Sequence, residues 1–337
     1  MNLQHRIDLL VQLGQYILSG DEQWQSAKEK ASRENGWFVP EFIEEATKKI
    51  AQSFLQKEQL ETWAAAYPIQ TPAPGSPVFK PRTIGIIMAG NIPLVGFHDL
   101  LCVFLSGHKA LIKPSSKDQV LIKHIVEKLS VWNEEVKELA IFSDMLKGCD
   151  AYIATGSNNS SRYFDYYFGK YPHIIRRNRT SVGVLNGCET KEDLEKLADD
   201  VYLYFGLGCR NVTKLYVPQD YDFVPLLEAF RKYNYLADHH KYKNNYDYNL
   251  ALHLLNKKYY MTNGSILLIE DPVIFSPTSQ LNYEFYDGND DLAAKLLPVK
   301  ELQCIVGKSF TGFGQGQSPG LNEYADGVDT LQFLTGL

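Results

Sequence analysis

Thr83-Ile84-Gly85-Ile86-Ile87-Met88-Ala89-Gly90-Asn91-Ile92-Pro93 carries the first structural signal of the chain. Residues 83–88 run without a charged side chain and are rich in β-branched types, as a strand buried on both faces requires. Ala89 and Gly90 then end it in a small-residue turn. Residues 97–105 follow as a helix closed by Gly107, 110–113 as a second strand, and 119–131 as an amphipathic helix. Residues 151–155 form a third strand that runs through Gly156-Ser157 into a helix near 160–168. Strands separated by helices of this length pair in parallel through right-handed crossovers. The pattern therefore predicts an α/β fold whose ligands collect at the carboxyl ends of the strands.

Residues 1–67 read as helical: Ile7, Leu10, Leu13 and Ile17 share one face, and Phe42, Ala46, Ile50 and Phe54 repeat the pattern behind Pro40. Pro68, Pro72, Pro74, Pro77 and Pro81 then exclude both helix and central strand and mark a boundary. Past residue 180, strands are expected at 181–185, 214–217, 266–269 and 302–306, with helices at 191–204 and within 224–255. The expected layout is a helical segment (1–67), a cofactor-type domain (68–184), a second α/β domain (185–306) and a glycine-rich tail (307–337).

A chain of 337 residues with 45% apolar content can bury a core, which excludes a disordered regulator. Its 34 Lys+Arg against 40 Asp+Glu give a net charge of −6 with no basic stripe, so nucleic acid is not an expected partner. The longest apolar stretch, 83–97, is interrupted by Gly85, Gly90, Asn91, Pro93 and Gly96 and is too short for a membrane span. Arg6 and Asp8 interrupt the amino-terminal leucines, so no signal peptide is read and a cytoplasmic location is expected. Five cysteines (Cys102, Cys149, Cys188, Cys209, Cys304) without C-x-x-C spacing point to free thiols and away from a zinc site.

Four motifs carry chemistry, each with an ordinary structural alternative. Asn91 either donates its amide to a developing oxyanion or supports a tight turn. Lys113, in Lys113-Pro114-Ser115-Ser116, either meets a ribose or 2′-phosphate or snorkels from a strand end. Gly156-Ser157 either opens a phosphate-binding helix or is a plain strand-to-helix turn. Cys209, in Gly206-Leu207-Gly208-Cys209-Arg210-Asn211, is either an accessible thiolate favoured by Arg210 and loop amides or a small buried hydrophobe. Gly312, Gly314 and Gly316 open no βαβ unit and are expected to form a flexible loop. His239-His240 has no metal partner at useful spacing.

In order and spacing, from about residue 83 to 217, these pieces resemble the aldehyde dehydrogenase superfamily. They are most similar to its acyl-CoA reductase branch, which includes the fatty acyl-CoA reductase of bacterial bioluminescence. The resemblance implies an aldehyde-dehydrogenase-like α/β fold: a Rossmann-type parallel-sheet cofactor domain, a second, shortened catalytic domain, and an N-terminal helical segment. It also implies site residues. Ala89 and Gly90 would lie beside the cofactor, Asn91 would serve the oxyanion hole, and Lys113 with Ser115 the adenosine ribose. Gly156 and Ser157 would lie beneath the pyrophosphate, Glu301 would hold the nicotinamide ribose, and Cys209 would be the nucleophile. NADPH is the expected cofactor, with NADH the alternative, and a homodimer is the expected assembly.

Hydrolytic relatives keep a Glu-Leu-Gly-Gly segment whose Glu activates water; here Arg176 stands at that place, in Arg176-Arg177-Asn178-Arg179. The implied reaction is reduction of an acyl-CoA or acyl-carrier thioester to the aldehyde through an acyl-cysteine. The alternatives are a non-redox acyltransferase or thioesterase on the same cysteine, and a degenerate acyl- or cofactor-binding subunit. The Arg176, Arg177 and Arg179 cluster is read either as a dock for coenzyme A phosphates or an acidic carrier, or as a solvated basic strand end.

Overall fold

The computed structural model describes residues 1–69, 80–287 and 291–337. Pro72, Pro74 and Pro77 of the expected boundary lie outside the described residues. Two compact units emerge: Met1–Asn178 with Gly320–Leu337, and Arg179–Pro319.

The first unit begins with four helices, α1 (Leu3–Leu18), α2 (Glu22–Glu34), α3 (Pro40–Phe54) and α4 (Lys57–Ala65). Asn2 caps α1 by accepting from the His5 N–H, Asp21 caps α2, and Pro40 opens α3 at its first turn. Ile7, Leu10, Leu13 and Ile17, the stripe read from sequence, are all buried. Five strands follow, β1 (Thr83–Ile87), β2 (Lys109–Lys113), β3 (Ala140–Phe142), β4 (Ala151–Thr155) and β5 (His173–Arg176). Between them run α5 (Phe97–Ser106), α6 (Gln119–Trp132), the short α7 (Val136–Leu139) and α8 (Asn158–Phe168). The sheet is parallel throughout, in the order β3-β2-β1-β4-β5. The chain winds outward on one side of β1 and then returns to start again at β4, which makes the β1/β4 boundary the point where ligands gather in such sheets.

The second unit holds β6 (Thr180–Val184), β7 (Val212–Pro218), β8 (Met261–Thr262), β9 (Leu267–Glu270), β10 (Gln280–Tyr286) and β11 (Leu302–Val306). Their order is β11-β6-β7-β10-β9-β8, parallel except for the β8/β9 pair. Its helices are α9 (Lys191–Tyr202), α10 (Val224–Ala229), α11 (His240–Leu255) and α12 (Leu292–Leu296). A capping box between Thr190 and Asp193 starts α9. The helix expected over 191–204 stops at Tyr202 because Leu203 turns out of helical geometry with ψ 139°, and Tyr204 and Phe205 follow with left-handed φ of 56° and 57°.

The units part between Asn178 and Arg179, so β6, expected to close the cofactor-type domain, belongs to the second sheet. Residues 320–337, expected in a tail, join the first unit and end in α13 (Thr330–Thr335). Leu321, Leu331 and Leu334 enter the same core as Ile84, Leu101 and Ile112. The Trp63 indole donates to Tyr324 Oη at 3.0 Å, Tyr67 Oη donates to Asp329 at 2.8 Å, and the His108 ring bonds the Leu334 carbonyl at 2.9 Å. The glycine run is likewise fixed in place. The Gly314 and Gly316 N–H groups donate to the two oxygens of the wholly buried Asp200 carboxylate at 2.6 and 2.9 Å. Among the described residues no helix is long and apolar enough to cross a membrane.

Candidate active site

In the first unit the parallel register aligns the strand ends, with Ile87 opposite both Lys113 and Ala154. Ala89, Gly90, Lys113, Ser115, Gly156 and Ser157 therefore meet at one carboxyl edge. The Met88 N–H extends the ladder to the Lys113 carbonyl at 3.1 Å. At Gly90 a Cβ would lie 2.6 Å from Ser115 Oγ and 3.2 Å from the Asp118 Cβ. Only glycine lets these two loops approach so closely. Gly156 is similarly confined, a Cβ there lying 2.8 Å from the Phe164 ring and 3.0 Å from the Ser160 Cβ. Ser157 caps α8 by accepting the Ser160 N–H at 3.2 Å, while Asn158 and Asn159 in the first turn are exposed. Lys113 and Asn91 are exposed on the same edge.

In the second unit the cluster sits on the opposite kind of edge. β6, β7 and β11 begin side by side, with Ser181 opposite Val212 and Thr180 opposite Leu302. Cys209 precedes β7 and Glu301 precedes β11, so both lie at this amino edge, with Glu301 exposed. Register shifts fall on both sides of Ser181, which re-aims side chains locally.

Cys209 is half-buried on a turn clamped by two residues that sequence reasoning missed. Asn211 is wholly buried; its amide nitrogen donates to the Asp200, Val201 and Leu203 carbonyls at 3.1, 3.3 and 2.9 Å, the last turn of α9. Its Oδ1 accepts the Gly208 N–H at 2.8 Å, so one side chain joins the helix end to the residue before the thiol. Ser181 Oγ donates to the Cys209 carbonyl at 3.1 Å and accepts from both the backbone N–H and the thiol of Cys304, at 3.2 and 3.1 Å. The Arg210 guanidinium reaches the Gly316 carbonyl at 3.4 Å. The only sequence signal for Asn211 is its place two residues after the cysteine. Ser181, an ordinary small strand residue, has none.

Asn211→Ala removes the partner of three helix carbonyls and one N–H at once. We expect a loss of about 2–4 kcal/mol in urea unfolding, on the order of the cost of unsatisfied buried groups. Asn211→Asp, which restores only the Gly208 acceptor, should recover part of it.

Arg176 is buried and fully engaged, which corrects its reading as part of a phosphate or carrier dock. Its guanidinium bonds Asp99 at 2.6 Å, Thr330 Oγ1 at 2.8 Å and the Ala325 carbonyl. Burial opposes its charge, and the surrounding anionic groups, Asp99 foremost and then Asp326, together more than offset this, holding the guanidinium above its ordinary value. Arg177 pairs at the surface with Asp165 at 2.9 Å, and Arg179 donates to the Leu302 carbonyl at 3.0 Å.

The sequence matches the model of the acyl-CoA reductase (LuxC) family over residues 47–228, more than half of the chain. The chain belongs to the acyl-CoA reductase (LuxC) family. Comparison with curated proteins finds no match. Among solved structures, aldehyde dehydrogenase 21 from Physcomitrella patens is 14% identical, covering 91% of this chain and 74% of its own, with a TM-score of 0.65. An NADP-dependent enzyme from E. coli is 12% identical over 91% of this chain and 73% of its own, with a TM-score of 0.67. An aldehyde dehydrogenase from Mycobacterium tuberculosis, solved with NAD+, is 14% identical over 87% of this chain and 70% of its own, with a TM-score of 0.64. At these identities the likeness establishes the aldehyde dehydrogenase fold. Family and fold together make this acyl-CoA reductase family member an aldehyde-related oxidoreductase.

Proposed function

We propose that the chain reduces an acyl thioester, carried on coenzyme A or on a carrier protein, to the aldehyde through a covalent acyl group on Cys209. NADPH is the reductant, with NADH its alternative. The observation that carries this reading is the mounting of Cys209: a half-buried thiol on a turn held from α9 by Asn211 and from β6 by Ser181. Such a mounting holds a nucleophile in one attack geometry, which a merely space-filling cysteine does not need.

The Cys209 thiolate attacks the thioester carbonyl carbon, the carbonyl electrons move to oxygen, and the donor thiolate leaves as the acyl-cysteine forms. Asn91 is assigned the amide that donates to that oxygen. When bound, the nicotinamide supplies the hydride that reduces the acyl-enzyme. The resulting thiohemiacetal collapses to the aldehyde and restores the Cys209 thiol. By the resemblance Arg176 takes the place of the hydrolytic Glu, and its burial against Asp99 supports release by reduction over release as an acid.

The carboxyl edge of the first sheet fits a dinucleotide. Its α8 presents an exposed first turn suited to a pyrophosphate, and Lys113 offers a cation to a 2′-phosphate. Glu301, on the other unit, is assigned the nicotinamide ribose. Lys113→Ala should raise KM for NADPH about tenfold, roughly 1.4 kcal/mol, and that for NADH less than threefold. Equal losses for both would remove the assignment to the 2′-phosphate.

Intact-mass measurement after incubation with acyl-CoAs of graded chain length tests the whole reading. The protein should gain one acyl mass, and NADPH should discharge it with release of aldehyde. Acylation without discharge would favour a non-redox acyl transfer, and absence of acylation would remove the thioester reading.

A further inference from the structure

Asp118 occupies the N-cap position of α6, where an aspartate ordinarily accepts an N–H of its own helix. It makes no such bond. Its side chain turns back across the sheet edge, and Oδ2 accepts the Leu94 N–H at 2.6 Å, 24 residues away. The other oxygen, Oδ1, is buried without a hydrogen-bond partner. Forgoing a helix cap and burying an unsatisfied oxygen both cost stability. What both costs secure is the turn that follows β1. Leu94 sits in the left-handed region at φ 56°, a conformation that a leucine holds only when its surroundings impose it. At the other end of that turn Gly90 is pressed against Ser115 and the Asp118 Cβ. Asn91 lies between these two fixed points.

We propose that Asp118 is a positioning residue for the thioester reaction, setting the Asn91 turn through its bond to the Leu94 amide. The inference rests on the thioester reading and adds to it a residue that acts on the carbonyl oxygen only through the backbone of residues 90–94. Burial, which outweighs the Leu94 bond, pushes the Asp118 carboxyl well above the usual carboxylate range. A neutral side chain of the same shape should therefore do the same work.

The test uses the full chain and three variants, with single-turnover acylation of Cys209 by acyl-CoA read by quenched intact mass, and NADPH affinity read separately. Asp118→Ser returns a cap to α6 but is too short to reach Leu94, so it keeps the fold while losing the tie. It should acylate ten- to a hundredfold more slowly, as a displaced catalytic group does, with NADPH affinity within threefold of wild type. Asp118→Ala should behave alike, and Asp118→Asn should stay within threefold of wild type in both measurements. Hydrogen exchange at the Leu94 amide should quicken in the Ser and Ala variants and not in the Asn variant. Wild-type acylation rates in Asp118→Ser, or equal losses in the Ser and Asn variants, would overturn the proposal while leaving the thioester reading standing. A wild-type protein that takes no acyl group would overturn both.

Discussion

Cys209→Ala takes up no acyl group from acyl-CoA and loses thioester-dependent NADPH oxidation by at least about a thousandfold, the scale on which removing a covalent nucleophile acts. The other cysteines serve as controls because their settings differ. Cys102 is wholly buried in α5, where burial raises its thiol well above the ordinary value, and Cys149 is raised by burial too. Cys188 is exposed, and its accessibility makes it the expected site of adventitious labelling. Cys102→Ala and Cys188→Ala should keep both acylation and turnover. Acyl mass retained in Cys209→Ala and lost in Cys188→Ala would assign the chemistry to the wrong edge of the protein, and the mechanism above would fall.

The second large effect is one of folding. Arg176→Ala leaves Asp99 buried with no cation and should lower unfolding free energy by about 3–5 kcal/mol, read from the urea midpoint. Arg176→Glu, which would formally restore the side chain of the hydrolytic relatives, sets a second carboxylate against Asp99. It should yield unfolded or aggregated protein without thioesterase gain. Replacing both partners with apolar residues, as in Arg176→Met with Asp99→Leu, should recover most of the stability, since a buried pair contributes little net over well-packed hydrocarbon. A soluble Arg176→Glu protein that releases free acid would show that this position reports on catalysis after all.

How much of this was legible in the sequence depended on whether a residue's partners were local. β1 and β4 were readable because a strand covered on both faces is a short unbroken apolar run, and the glycines after them mark turns whatever lies nearby; β2 was readable from Ala110-Leu111-Ile112 between two lysines, ahead of Pro114. β10 was not readable, although it lies inside the second sheet. Gln280, Asn282 and Glu284 alternate with its apolar residues, and their polarity is absorbed by distant groups: Asn282 by the Val273 and Phe275 carbonyls, Glu284 by Lys214. The site residues divide the same way. Cys209, Asn91, Lys113 and Gly156-Ser157 sit in short motifs, whereas Asn211, Ser181 and Asp118 matter through contacts that no spacing rule reveals. Asp118 in particular reads as a helix cap, which is what its position offers and its side chain declines. The boundary between units fell elsewhere than expected because β6 resembles the preceding strands in composition and differs only in its neighbours.

The return of residues 320–337 to the first unit also sets an order of events during synthesis. The second unit is one continuous segment, Arg179–Pro319, and all of its strands have left the ribosome before the first unit can finish. The first unit starts earlier, yet Leu321, Leu331 and Leu334 of its core arrive last. At ordinary translation rates of about 5–20 residues per second, the amino-terminal helices and the first sheet wait on the order of ten to thirty seconds for their last side chains. The apolar surface of α5 that α13 covers can be closed only after that interval.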